Sequence, residues 1–260
     1  MPNPAPQTAA NLLLKRVSQA VSRLDTSDFE ILRLEQDAKR LLESDAVGAY
    51  QALGAIAAYR LDLDALRENH ERAIHLTTSV TARSNYAISL ERVGLYSEAN
   101  PWVLEASKTE PENLTYLHRA LTSHLLSGDI ETANELANTF RRRQPDTEDL
   151  FVILAPRIKA VLDERGISQI ELQKSLEIAY LIIREHHWRL PNTTIQVQSH
   201  DGDHAVIYRT RVYDTWEQVS NADAELAQRL AETLENMHPS TIAIMIDPAP
   251  QNEPKTPAAA

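Results

Sequence analysis

From Ala9 to Leu24 the apolar positions Leu13, Val17, Ala20, Val21 and Leu24 return every three or four residues, the spacing of one helical face. Ser27, with Glu30 three residues on, marks the start of a second helix through Ile31, Leu34, Ala38, Leu41 and Leu42. The hydroxyl and the carboxylate of such a pair can each cover an orphan N–H of the first turn. Together these segments predict an antiparallel helical pair. Further on, Phe151, Leu154, Ile158 and Val161 keep helical spacing across 150–165, with Pro156 as a kink. A short strand, LFVIL, ahead of a helix beginning at Pro156 is the competing reading. Gly166 breaks the chain, and Ser168 with Glu171 caps a longer helix through Leu172, Leu176, Ala179, Ile182 and Ile183.

At Thr193 the period changes to two. TTIQVQSHDGDHAVIYRTRV predicts a hairpin about Asp201-Gly202, a strong two-residue turn signal. That turn pairs His200 with Asp203, Val197 with Val206 and Ile195 with Tyr208, which gathers the apolar residues on one face and Thr194, Gln196, Gln198 and Arg209 on the other. A helix from about Thr215 to Met237 and a strand over 241–246 complete a small α+β domain. With three strands in view, an open sheet edge is expected, and with it a homodimer formed through the C-terminal sheet.

The middle of the chain repeats itself. Gly94 and Gly128, Ala99 and Ala133, and Pro111 and Pro145 are each separated by 34 residues. The glycines fall where two helices must be joined by a sharp turn, the alanines where a second helix packs closely on a first, and the prolines where the unit must end. Pro101 is the awkward residue, and the spacing puts it in the first turn of its helix, where a missing N–H is tolerated.

A 34-residue helix-turn-helix period with these landmarks resembles the tetratricopeptide repeat (TPR) family. The second unit carries Tyr86, Ala87, Gly94, Tyr96, Ala99, Ala106 and Pro111; the third carries Ala120, Leu121, Gly128, Ile130, Ala133, Phe140 and Pro145. An earlier unit has Tyr50, Leu53, Gly54, Leu63 and Ala73 but departs from the pattern, with Leu61 at the turn glycine, Leu66 at the packing alanine and no closing proline. The resemblance covers residues 47–147. It implies a TPR-like solenoid of three repeats (47–79, 80–113, 114–147). With the flanking segments read above, the expectation is a mainly α protein: a region 8–165 that also holds the leading helical pair and a capping helix, followed by the α+β domain at 166–247 with its antiparallel hairpin. The Pro- and Ala-rich ends, 1–7 and 248–260, read as disordered tails.

The resemblance also implies a groove that binds a protein or peptide, lined by the first helix of each unit. Its positions fall on Gln51, Ala55 and Tyr59; on Ser84, Asn85, Ser89 and Arg92; and on His118, Arg119 and Thr122. One branch of the family clamps a terminal carboxylate with lysines, asparagines and an arginine. Asn85 and Arg119 match, whereas Gln51, Ala55 and Thr115 replace the other three groups, which argues against a carboxylate clamp.

Composition narrows the remaining classes. The chain has 260 residues, a net charge of -11 and no cysteine, which excludes disulfides and thiolate chemistry and fits a reducing cytoplasm. Residues 148–247 carry nine Lys and Arg against sixteen Asp and Glu, so the C-terminal part is a poor phosphate binder and no nucleic-acid partner is expected. Arg141, Arg142 and Arg143, the one basic run, end a helix where cations suit the helix dipole. RGISQIELQKSLEI, from Arg165, opens like a DNA-binding helix-turn-helix but continues without a turn glycine and reads as one amphipathic helix. No apolar run suggests a membrane span.

The richest set of metal-ligand types is HHW at 186–188 with HDGDH at 200–204. The hairpin register turns His200 and His204 to opposite faces, so neither a metal nor a cofactor is expected. No phosphate loop, nucleophile elbow or zinc helix appears, and no general acid–base pair is nominated. The expected function is a cytoplasmic, non-enzymatic adaptor or chaperone-like scaffold. An enzyme or ligand-binding domain at 166–247, with the solenoid as its targeting arm, is the alternative.

Overall fold

The computed structural model describes residues 8–23, 25–189, 192–200, 203–234, 238 and 240–249. Leu24, the Asp201-Gly202 turn, Met237 and the tails 1–7 and 250–260 lie outside the described residues. Among those described there are eleven helices and a small sheet of three strands, with ten of the helices ahead of the first strand, a mainly α protein with a C-terminal α+β part. Residues 8–93 belong to one compact unit and 94–249 to another.

The first unit holds α1 (Ala9–Val21), α2 (Asp28–Leu41), α3 (Ala46–Tyr59), α4 (Leu63–His75) and α5 (Val80–Arg92). Thr8, Ser27, Asp45 and Asp62 cap α1 to α4, each side chain accepting a first-turn N–H. At Ser27 only half of the expected box forms, because the Glu30 carboxylate instead receives the Arg23 guanidinium at 2.7 and 2.9 Å. Helix α3 is the centre of this unit and touches α1, α2, α4 and α5. It is buried on nearly every side, which its small-residue sequence AVGAYQALGAIAAY allows. A Cβ added at Gly48 would lie 2.6 Å from Ala10 Cβ, and one at Gly54 would lie 2.4 Å from the His70 ring. The leading pair therefore stacks on α3 as a further helical pair, its Leu13, Val17, Ile31 and Leu34 sharing one core with Ala52, Ile56 and Tyr59.

The second unit holds α6 (Tyr96–Thr109), α7 (Leu114–Ser127), α8 (Ile130–Arg143), α9 (Leu150–Arg165), α10 (Gln169–Glu185), β1 (Asn192–His200), β2 (Asp203–Val212), α11 (Trp216–Thr233) and β3 (Ile242–Pro248). Residues 150–165 are one helix, and the strand reading of LFVIL is not adopted. The helical repeat is regular: α3, α5 and α7 begin at 46, 80 and 114, and α4, α6 and α8 at 63, 96 and 130. Gly94 and Gly128 are left-handed, with φ of 71° and 80°, and Leu61 takes the same conformation at 58° despite its side chain. Ala99, Ala133 and Leu66 are all fully buried.

In the sheet, β2 is central, antiparallel to β1 and parallel to β3. The β1–β2 register is the expected one: His200 opposite Asp203, Val197 opposite Val206 and Ile195 opposite Tyr208. The parallel β2–β3 pair needs a crossover, which α11 supplies. Ile195, Val206, Tyr208, Thr210, Val212 and Ile246 are buried along one face. The helix α10 and this sheet dock on the repeat: Tyr208 Oη donates to Leu125 O and Tyr180 Oη to Leu126 O, both at 3.2 Å, and Gln169 Oε1 accepts from Glu131 N at 2.8 Å.

Three expectations change. Pro101 lies in the second turn of α6, not its first, so the C=O of Ser97 loses its helical donor. The last strand runs beyond 246 to Pro248, and Ala249 N donates to Val212 O, so 248 and 249 belong to the sheet and not to a tail. Helix α11 ends at Thr233. The β3 edge is also less open than its strand count suggests, since Ile242 N donates to His238 O and Ile246 N to Asp223 Oδ1. Among the described residues no helix is long and apolar enough to cross a membrane.

Candidate functional site

Five of the expected groove positions, Gln51, Ala55, Asn85, Ser89 and Arg92, meet at one pocket in the first unit. Gln51 comes from α3, and Asn85, Ser89 and Arg92 come from α5 at the i, i+4 and i+7 positions of one helical face. Ala55 and Ile88 lie among them, and α1 contributes an apolar wall of Leu14, Val17 and Val21 with Ser18. The cavity is about 90 Å³.

The polar groups are tied to one another. Asn85 Nδ2 donates to Gln51 Oε1 at 2.6 Å, linking α5 to α3. Arg92 Nη2 donates to Ser22 Oγ at 2.8 Å, tying the end of α5 to the C-terminal cap of α1. Beneath them lies His70 of α4, fully buried, its Nε2 2.8 Å from Ser89 Oγ and its ring stacked on Tyr86 with centroids 5.1 Å apart. Burial pushes the imidazole pKa down to about 3, so it is a neutral hydrogen-bonding group. Its Nδ1 is buried and has no partner among the described residues.

Sequence reasoning missed His70. Two signals pointed to it: it falls four residues after Leu66 on the buried stripe of α4, and Gly54 stands in mid-helix where alanine would serve a helix better. Gly54 is needed because the imidazole occupies the place of its missing Cβ.

The other expected residues lie elsewhere. Ser84 is buried in α5. Tyr59 does not face the pocket; it is 5% exposed, packs in the α1–α3 core and donates its hydroxyl to Thr26 O at 3.2 Å. His118, Arg119 and Thr122 belong to α7 of the second unit. His118 is held between the rings of Phe140 and Phe151, with Nε2 2.8 Å from Asp149 Oδ2 but off the line of a hydrogen bond. Asp149 is itself fixed, because its Oδ1 caps α9 at Phe151 and Val152. Thr122 spends its hydroxyl on the His118 carbonyl. These contacts make His118 part of the packing of α7 against α8 and α9 and keep the Thr122 hydroxyl within α7.

A second cavity, about 230 Å³, lies between α10, α11 and β3 and includes Glu171, Ser175, Asp223 and His238. Both carboxylates have structural work: Glu171 completes the capping box of α10 and Asp223 caps Ile246. Among the described residues no group of three His, Asp or Glu is placed to hold a metal ion. His204 lies beside Ser199, with Nδ1 2.7 Å from its hydroxyl. Comparison of the chain with protein-family models, with curated proteins and with solved structures finds no match.

Proposed function

We propose that this protein is a cytoplasmic, non-enzymatic adaptor of the tetratricopeptide kind that holds an extended segment of a partner protein in the pocket bounded by α1, α3 and α5. The observation that carries the reading is the convergence of Gln51, Ala55, Asn85, Ser89 and Arg92, five positions assigned to a binding groove, on one cavity. The helix starts at 46, 80 and 114 support the repeat on which that assignment rests. Pockets between the inner helices of stacked helical pairs suit peptides because several side chains converge on one strand of chain.

The test is selection of peptides from a displayed library by the full chain, followed by binding to Ala55→Trp, which fills the cavity from α3. Selected peptides bind the wild type and lose binding to the variant. Equal binding to both, with the helical circular dichroism of the variant intact, rejects the groove. The rival reading, a ligand-binding or enzymatic function at 166–247, draws on the cavity beside β3. A small-molecule hit that stabilises the protein and is abolished by Ser175→Phe would favour it. A homodimer through the sheet enters the proposal in one form: pairing along β3 requires Asp223 to release Ile246 N–H.

A further inference from the structure

The Gln51–Asn85 pair carries a chemical preference that goes beyond peptide binding as such. Each side-chain amide has a donor end and an acceptor end. In the structure Asn85 Nδ2 and Gln51 Oε1 satisfy each other. What is left over is the Gln51 NH2 group and the Asn85 carbonyl oxygen, neither with a further partner among the described residues, beside the second N–H of Asn85. Exchanging O and N in both side chains gives the same outcome, a free donor end and a free acceptor end. The pair therefore offers a neutral donor–acceptor couple whichever way it is assigned.

We infer that the pocket bounded by α1, α3 and α5 selects a side-chain carboxamide, a glutamine or asparagine of the partner segment, through the free ends of Gln51 and Asn85. This deepens, and rests on, the groove reading above. A carboxamide supplies both a donor and an acceptor; a carboxylate supplies acceptors alone and an ammonium donors alone. His70 lies beneath the pair and does not compete for its free ends, since its Nε2 is 2.8 Å from Ser89 Oγ and its ring is fully buried.

Size and charge agree. The cavity of about 90 Å³ is about three water volumes, room for one short side chain whose stem lies on Leu14, Val17 and Ile88. Residues 8–93 carry eleven Lys and Arg and twelve Asp and Glu, whereas 94–249 carry fourteen and twenty-four. The first unit is thus nearly neutral, with no field to draw a charged segment in, and its pocket includes no carboxylate to receive a cation. Arg92 is the one charged group at the pocket. A carboxylate would depend on it, which gives the opposing outcome a definite form.

The experiment is an NMR titration of the full chain with N-acetylglutamine methylamide, and with the glutamate and norleucine versions of the same probe. The expected result is movement of the Gln51 and Asn85 side-chain NH2 resonances by the glutamine probe. Its affinity should exceed that for the other two by roughly tenfold, the worth of about one net hydrogen bond. The double variant Gln51→Leu with Asn85→Leu removes both amides together, so no buried partner is stranded, and it should bind glutamine and norleucine probes alike. Equal or tighter binding of glutamate, equal binding of norleucine to the wild type, or no movement of either NH2 group by any probe overturns the inference. If library peptides still lose binding to Ala55→Trp but are indifferent to the double variant, the groove stands and the carboxamide preference fails.

Discussion

Acidification should destabilise the first unit through one residue. In the folded chain His70 is held at a pKa of about 3 by burial, against an ordinary 6.5. Below pH 6.5 the unfolded chain takes up a proton at this position that the folded chain refuses, so the stability present above pH 6.5 declines as pH falls toward 3. From pH 7 to pH 5 the loss is about 2 kcal/mol, from about 1.4 kcal/mol per pH unit over the part of the interval below 6.5. The figure is insensitive to the folded value, because pH 5 lies well above a folded pKa of about 3 and the folded ring stays neutral. The assay is urea unfolding followed by circular dichroism at both pH values, for the wild type and for His70→Gln, which can still meet Ser89 but does not titrate. All other titrating groups are common to both proteins. The wild type should therefore lose about 2 kcal/mol more than the variant over this range. A difference within about 0.5 kcal/mol, or an NMR titration in which the His70 ring protonates near pH 6.5, refutes the argument.

Pro101 is exposed and sits in the second turn of α6, so Pro101→Ala restores a helical hydrogen bond without removing packing. Net of the looser unfolded chain, it should raise the unfolding free energy by about 1 to 2 kcal/mol, measured by urea denaturation. At Gly128 a Cβ would stand 3.1 Å from Gln173 N, so Gly128→Ala should cost about 2 to 4 kcal/mol, the sum of a left-handed penalty and an overpacked contact. A loss under about 1 kcal/mol would mean that α10 yields there. Asp223→Ala uncovers Ile246 N–H, and sedimentation should show stronger self-association by the variant than by the wild type. A variant that associates no more strongly than the wild type shows that this contact is not what closes the edge.

Periodicity carried most of the local structure. The period-two segment after Thr193 gave the strand register because the apolar face and the turn residues point to the same pairing. The 34-residue spacing located the helix pairs because small residues and chain breakers are hard to replace at close approaches. What the pattern did not carry was long-range partnership. The parallel seat of β3 beside β2 follows from a crossover, which leaves no residue-level mark on the strand. Tyr59 occupies a groove position in the repeat, yet the leading helices form a core around it, so its ring packs inward. His70 was hidden for a related reason: a buried histidine is legible only together with the glycine on another helix that makes room for it.

The two turn glycines do more than turn the chain. If a left-handed φ were the whole requirement, the first unit would need a glycine too, yet Leu61 holds φ 58° with a side chain attached. That costs about 1 to 2 kcal/mol and is tolerated. Gly94 and Gly128 differ in what lies outside them. A Cβ at Gly94 would be 2.9 Å from Tyr180 Cβ, and one at Gly128 would meet the backbone of Gln173, both on α10. Arg184 Nη1 donates to Gly94 O and Tyr180 Oη to Leu126 O, so α10 is fastened to the same two turns it presses against. The recurrence that marks the helical repeat thus also records where the C-terminal α+β part docks on it. That accounts for residues 94–249 forming one compact unit, with no break at the end of the repeats.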